Sequence, residues 1–293
     1  MGINITGKTG LLAVLGTPIQ HSLSPAMHNL ALQTLGLDYT YLAFDIKEEE
    51  VGQALEGLKL FGFRGCNLTM PLKKKALEYC DHLSESARIS GAVNTIINDH
   101  GVLTGDTTDG TGVLWAMRAN GHEMLGKKVT IMGAGGASVS IVTQGALDGA
   151  KEITVFNRKG ESFSMMEQVA EELNQITSCN VKVLTLEDEE RLRREIKESQ
   201  FLINGTSLGM APHEDTCILP DSSYFHKDLV VADVVYNPRE TKFMKFAKEA
   251  GAVAYNGLDM LLYQGAKSFE LWMGVPMPVE LVKEKVFDPE RKK

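Results

Sequence analysis

The sequence predicts an α/β protein of two domains, and three observations lead there. Short apolar runs alternate with amphipathic stretches along the chain, the pattern of β-α-β units whose strands lie side by side beneath helices. A glycine-rich turn, Gly133-Ala134-Gly135-Gly136-Ala137-Ser138, stands between one such run and a helical segment. The 293 residues also exceed what one small core organises and suit two.

Each element follows from its local pattern. Leu11-Leu12-Ala13-Val14-Leu15 reads as a buried strand ending at Gly16-Thr17-Pro18. Ser24-Pro25 reads as an N-cap with proline at the first helical position. Met27, Leu30, Ala31 and Leu35 then follow at helical spacing, and Gly36 supplies the stop. Residues 39–46 form the next predicted strand, 51–59 a helix and 65–68 a short strand, so this sheet is expected to be mostly parallel. A second unit begins after Gly105, with a helix over 112–120, a strand over 129–132, the glycine turn, a helix over 139–149 and a strand over 153–156. The charged stretches 165–174 and 187–198 read as solvated helices with i,i+4 charge pairs. Strands at 201–204 and 229–235 follow. Past Gly257, the positions Met260, Leu261, Tyr263, Gln264, Lys267, Ser268 and Leu271 trace a long helix.

Composition removes several function classes. Thirty basic residues against thirty-eight acidic ones give a net charge of −8, which argues against a binder of phosphate backbones, so no nucleic-acid partner is expected. No run approaches the ~20 apolar residues of a membrane span, so no membrane partner is expected. The first ten residues lack the apolar core of a signal peptide. The expected location is cytoplasmic. Cys66, Cys80, Cys179 and Cys217 are scattered, His21 and His28 lie seven apart, and no His-Glu-x-x-His occurs, so no metal site is expected.

The glycine turn points to a dinucleotide. Gly133-x-Gly135-x-x-Ser138 allows a tight turn and close backbone approach to a pyrophosphate, and the helix that follows offers free N–H groups and a positive dipole end. Ser138 stands where glycine or alanine eases helix packing, an imperfect match. The end of the next strand selects the adenosine ribose: an acidic residue suits a 2′-OH and an arginine a 2′-phosphate. Here Asn157-Arg158-Lys159 precedes Gly160-Glu161. Arg158 and Lys159 lean toward NADP, while Glu161 leaves NAD open, and solvated surface charge is the alternative for all three.

Three polar segments of the first unit are unusual. His21-Ser22-Leu23-Ser24-Pro25 sets two hydroxyls at a helix entrance, where Ser24 has a capping role and Ser22 has none. Asn67-Leu68-Thr69-Met70-Pro71-Leu72-Lys73 turns from a strand end into a helix, with the lysine run 73–75 readable as a solvated face. Gly91-Ala92-Val93-Asn94-Thr95 and Gly105-Asp106-Thr107-Thr108-Asp109-Gly110 form the third group, in which Asp109 is also readable as a helix cap.

Together with Asn204-Gly205-Thr206-Ser207-Leu208-Gly209-Met210, Asp233-Val234-Val235-Tyr236-Asn237-Pro238 and residues 257–266, these segments run in an order and spacing that resembles the shikimate dehydrogenases, within them the quinate/shikimate dehydrogenase branch. The resemblance implies reversible hydride transfer between NADP(H) or NAD(H) and the C3 carbonyl of 3-dehydroshikimate, a step toward chorismate and the aromatic amino acids. It implies that Ser22, Ser24, Thr69, Asn94, Asp109, Tyr236 and Gln264 hold the substrate. Lys73 is then the catalytic group, oriented by Asp109. Gly133, Ala134, Gly135, Gly136, Ala137, Asn157, Arg158, Lys159, Val234 and Gly257 are implied to hold the cofactor.

By the same resemblance, residues 1–108 plus 258–293 form the substrate domain, with the C-terminal helix returning to it. Residues 109–257 form a Rossmann-type NAD(P) domain, the active site lies in the cleft between the two, and the enzyme is expected as a homodimer. Thr107 departs from the asparagine common in the family, and Lys159-Gly160 matches neither cofactor pattern. Two alternatives accompany this reading: an enzyme preferring quinate or a related cyclohexane carboxylate, and a non-catalytic NAD(P)-binding sensor. The joint presence of Lys73 and Asp109 weighs against the sensor.

Overall fold

A computed structural model describes residues 5–287, which divide into two compact units, residues 5–108 with 264–287 and Asp109–Tyr263. The first unit opens with β1 (Gly10–Gly16), α1 (Ser24–Thr34), β2 (Tyr39–Asp45), α2 (Val51–Leu60) and β3 (Gly65–Leu68). It continues with β4 (His82–Leu83), α3 (Glu85–Ser90), β5 (Thr95–Asp99) and β6 (Val102–Asp106). The sheet order is β2-β1-β3-β5-β6-β4. β1 runs parallel to both β2 and β3, as the β-α-β reading requires, and its last five residues are buried.

The sheet departs from the mostly parallel expectation beyond β3. β5 and β6 form a hairpin that pairs antiparallel to β3, closed by His100 and Gly101, both at positive φ. Helix α1 also departs from its predicted start. Ser24 is its first residue rather than its cap, and the Ser24 N–H donates to Ser22 Oγ at 3.3 Å. Leu23 is the N-cap, and Ser22 contributes a side-chain acceptor to the turn that leads into the helix. That turn is closed by the Ser22 N–H donating to the Ile19 carbonyl.

The second unit comprises α4 (Asp109–Ala119), β7 (Lys128–Met132), α5 (Gly136–Leu147), β8 (Glu152–Asn157), α6 (Glu161–Ile176) and β9 (Asn180–Thr185). After these come α7 (Glu189–Glu198), β10 (Phe201–Asn204), β11 (Val230–Asp233), α8 (Lys242–Glu249) and β12 (Val253–Tyr255). All six strands are parallel, in the order β12-β11-β10-β7-β8-β9. Counted from β7, that order is 3-2-1-4-5-6, the doubly wound dinucleotide fold, with its switch point between β7 and β10. β9 and β12 were not anticipated. Helix α9 (Gly257–Met273) contains the division between the units at Gln264, and α10 (Val279–Val282) follows. No helix among the described residues is long and apolar enough to cross a membrane.

At the N-terminal ends of β7 and β8, Lys128 Nζ lies 3.1, 2.7 and 2.6 Å from Glu152, Glu195 and Glu198. Lys182 joins Glu152 and Arg191 joins Glu195, each at 2.6 Å. Burial opposes ionisation of both carboxyls, but the bonds of Lys182 and Lys128 on Glu152, and of Lys128 on Glu195 with the charge of Arg191, outweigh it and hold both below their ordinary range. Depressed carboxyls stabilise the fold above their unfolded pKa of about 4.3, and that contribution is lost as pH falls through the folded values. Glu195→Gln is expected to cost about 2 kcal/mol at pH 7 and to flatten the acid-side loss. Urea unfolding across pH 3–7 checks both, and unchanged stability would remove the cluster from any account of the fold.

Candidate active site

In the first unit the site is assembled by backbone contacts at strand ends. Leu15 pairs with Leu68, so β1 and β3 release their next residues side by side. The Thr69 N–H donates to the Leu15 carbonyl at 2.9 Å, and the Thr17 N–H donates to the Met70 carbonyl at 3.1 Å. Gly16 makes this approach possible, because a Cβ there would overlap the Thr69 methyl group. The chain then turns, with the Leu72 N–H on the Thr69 carbonyl, into Lys73, whose carbonyl accepts from the Val93 N–H at 2.9 Å. The Leu68 N–H donates to the Asn94 carbonyl at 2.8 Å. Thr69, Lys73 and Asn94 are thereby drawn to one place, with the Lys73 side chain half-buried.

The Asn94 amide is fixed on both sides. Its Oδ1 accepts from the Thr108 N–H at 2.8 Å and the Thr95 hydroxyl at 2.9 Å, and its Nδ2 donates to Thr108 Oγ1 at 3.0 Å and Gln264 Oε1 at 3.4 Å. Beneath it, Asn67 Nδ2 donates to the Asn94 carbonyl, Thr95 Oγ1 and Ser268 Oγ at 3.0–3.1 Å, while Asn67 Oδ1 accepts from the Tyr41 hydroxyl at 2.7 Å. Burial raises the Tyr41 pKa well above its ordinary value despite the nearby Ser24 hydroxyl, so Tyr41 acts as a donor. His28 stacks on Tyr41 with ring centroids 4.4 Å apart, and burial pulls its pKa to about 3. It is a neutral packing group.

In the second unit, Gly133 takes φ +96° at the end of β7, donates its N–H to the Phe156 carbonyl of β8 at 2.7 Å and lies against the Thr206 methyl. Gly135 and Gly136 are exposed and face open space. The N-terminus of α5 has neither a side-chain cap nor an acidic residue in its first turn. Arg158 and Lys159 lie exposed just past β8, two and three residues beyond Phe156, and Asn157 Nδ2 donates to Ser162 Oγ. Glu161 starts α6. Gly257 donates its N–H to the Val235 carbonyl, and its Cα sits so close to the Val234 carbonyl that no Cβ fits. These features fit a dinucleotide: free N–H groups and open glycines for a pyrophosphate, and cations where a 2′-phosphate is selected.

Residues 14–96 match the family model for the shikimate dehydrogenase substrate binding domain, and residues 257–287 that for the shikimate 5'-dehydrogenase C-terminal domain. A shikimate dehydrogenase (NADP(+)) of Listeria monocytogenes serotype 4b (strain F2365) is 47% identical over 97% of both chains. The chain belongs to the shikimate dehydrogenase family. A quinate/shikimate dehydrogenase of Escherichia coli (strain SMS-3-5 / SECEC) is 43% identical over 96% of this chain and 98% of its own. A solved structure of the Listeria monocytogenes shikimate 5-dehydrogenase, in complex with shikimate and NAD, superposes with a TM-score of 0.93 at 46% identity, covering 97% of this chain and 98% of that one.

Within this shikimate dehydrogenase fold, Ser22, Ser24, Thr69, Lys73, Asn94 and Gln264 all belong to the first unit. Asp109 opens α4 and Tyr236 is half-exposed after β11, both in the second. Sequence reasoning missed Thr95, Thr108 and Ser268, the buried hydroxyls that brace Asn94 and Asn67. Ser268 was detectable in one respect: it lies four residues after Gln264, and its hydroxyl donates to the Gln264 carbonyl at 3.1 Å. Thr107, the departure from the family pattern, buries its hydroxyl without a hydrogen-bond partner among the described residues.

The imperfect glycine fingerprint also has a physical explanation. Ser138 is fully buried and lies against Gly205, so the room that a third small residue provides elsewhere comes here from the facing glycine. Gly205→Ala is expected to cost about 1–3 kcal/mol by overpacking. Adding Ser138→Ala should recover part of that loss, because the Cβ would then meet Ser138 Cβ at 3.2 Å rather than overlap its hydroxyl. Thermal melts of the single and double variants check this, and equal losses would reject the pairing.

Proposed function

We propose that the chain catalyses the reversible NAD(P)-dependent reduction of 3-dehydroshikimate to shikimate. The observation that carries this reading is the convergence of Thr69, Lys73, Asn94 and Gln264 at the strand ends of one unit, in a family whose solved relative is in complex with shikimate and NAD. The cofactor, when bound, supplies the hydride in reduction and accepts it in oxidation. Lys73 is the general acid: an ammonium within reach of the C3 oxygen stabilises the charge that builds there and delivers its proton. In the reverse direction it takes that proton from the C3 hydroxyl. Asp109 is the second catalytic residue of this reading and binds a substrate hydroxyl.

Ser22, Ser24, Thr69, Asn94, Tyr236 and Gln264 hold the carboxylate and ring hydroxyls of the substrate. Hydroxyl and amide groups suit a small polyol acid because they both donate and accept. Ser24 is bonded to Ser22 and Asn94 to Gln264, so these groups are ordered before the ligand arrives, which lowers the cost of binding. Arg158 and Lys159 favour the 2′-phosphate of NADP, and the bound NAD of the Listeria structure keeps NAD within the same reading. Quinate is the second reading, favoured by the quinate/shikimate dehydrogenase of Escherichia coli. Quinate has an extra hydroxyl and a saturated ring, so discrimination rests on hydrogen-bond partners in the pocket.

Absorbance of NAD(P)H, followed with shikimate and quinate each paired with NAD and NADP, tests the assignment. Turnover is expected with shikimate, and cofactor binding without turnover in all four pairs would favour the sensor. Lys73→Ala should lower kcat about 10²–10⁴-fold with a much smaller effect on shikimate binding. Lost binding with unchanged kcat would reject its catalytic role. Arg158→Ala should raise KM for NADP far more than for NAD, and equal rises would reject the 2′-phosphate role.

A further inference from the structure

We infer that Asp233 is a positioning residue of the nucleotide site, tying the loops after β10 and β11 into one backing for the glycine turn; this rests on the cofactor reading above. Asp233 is 2% exposed at the end of β11. Its Oδ1 accepts from Asn204 Nδ2 at 2.9 Å and from the Val235 N–H at 3.0 Å, and its Oδ2 accepts from the Thr241 hydroxyl at 2.6 Å. No ion pair to it occurs among the described residues. Burial raises its pKa to about 6 against these three bonds, so at pH 7.5 a carboxylate is held by neutral donors alone.

Each donor leads to a different part of the nucleotide domain. Asn204 Oδ1 accepts both the N–H of Thr206 at 3.1 Å and its hydroxyl at 2.7 Å. Thr206 in turn sets its methyl against Gly133, where the left-handed turn leaves no space for a Cβ. This is a continuous line of contact from Asp233 to the first glycine of the pyrophosphate turn. The Val235 branch fixes Val234 and Gly257, since the Val235 carbonyl accepts the Gly257 N–H at 3.0 Å. The Thr241 branch reaches the N-cap of α8, where Thr241 Oγ1 accepts the Met244 N–H at 3.3 Å. Two of the three branches thus end on residues assigned to the cofactor, and none requires the charge itself.

In Asp233→Asn, Oδ1 keeps both N–H donors and Nδ2 can donate to the Thr241 hydroxyl, so the geometry survives without charge. Titrating NADPH and NADH by fluorescence at pH 7.5 should give Asp233→Asn a Kd within about twofold of the parent chain and Asp233→Ala a Kd raised about three- to tenfold, the worth of one or two hydrogen bonds. Thr206→Val keeps the methyl on Gly133 but removes the hydroxyl bonded to Asn204, and should raise Kd about threefold. It also decides the matter if Asp233→Ala does not fold.

Glu195→Gln, at the opposite ends of the strands, should lower the melting temperature with Kd unchanged. Parent-like Kd in both Asp233→Ala and Thr206→Val would overturn the inference, as would an equal loss in Glu195→Gln, which would reduce it to general destabilisation. Failure of the unsubstituted chain to bind either nucleotide would overturn the cofactor reading and the inference with it.

Discussion

Close packing against glycine backbones, at points with no room for a Cβ, governs how the strand-end loops sit. Gly16 lies on Thr69, Gly133 on Thr206, Gly205 on Ser138 and Gly257 on the Val234 carbonyl. Each contact stands at or just beyond the C-terminal end of a parallel strand, where successive loops leave the sheet side by side. Glycine at these points costs backbone entropy on folding. In return, polar groups from segments distant in the chain are held at hydrogen-bond distance before any ligand arrives.

What those contacts hold together is mostly uncharged. Asn67, Asn94 and Asn204 are buried amides, each bonded through both its oxygen and its nitrogen. An amide fixed this way points a donor or acceptor in one direction and avoids the desolvation cost of a buried ion. The dense ion cluster of the second unit is placed elsewhere, around Lys128 and Glu152 at the N-terminal ends of β7 and β8. The ion cluster and the proposed nucleotide site therefore lie at opposite ends of the same strands. Asp233 is the exception, a buried carboxylate at the C-terminal end, and its three neutral donors show how a charge is accommodated there.

The second unit was the more legible in sequence. Its central strands are mostly buried apolar runs such as Phe201–Ile203, and the glycine turn identified the strand from which the others could be ordered. The hairpin of β5 and β6 was not legible, because Thr95, Asn98, Asp99, Thr104 and Asp106 give it the composition of a loop. Pairing with β3 supplies the partners that make those residues strand. The three-residue β12 is too short for periodicity to register. Candidate site residues were legible where a motif marked them, as with Thr69, Lys73 and Asn94. Thr95, Thr108 and Ser268 gain meaning only when α9 lies beside β5, a contact of residues 173 positions apart that no local pattern encodes. The start of α1 fell one residue before the expected one, with Leu23 rather than Ser24 as N-cap, because helix starts depend on turn geometry, which the residue types alone do not specify.

In the proposed function, two separate sets of strand-end loops seat the two ligands, the polyol acid mainly on loops of the first unit and the dinucleotide on those of the second. Hydrogen–deuterium exchange, with shikimate and NADP added one at a time, tests it most directly. Shikimate should protect peptides covering residues 17–29, 66–73 and 91–95, and NADP those covering 133–138, 157–160 and 204–208. Protection by shikimate confined to the second set, or by NADP confined to the first, would contradict the account.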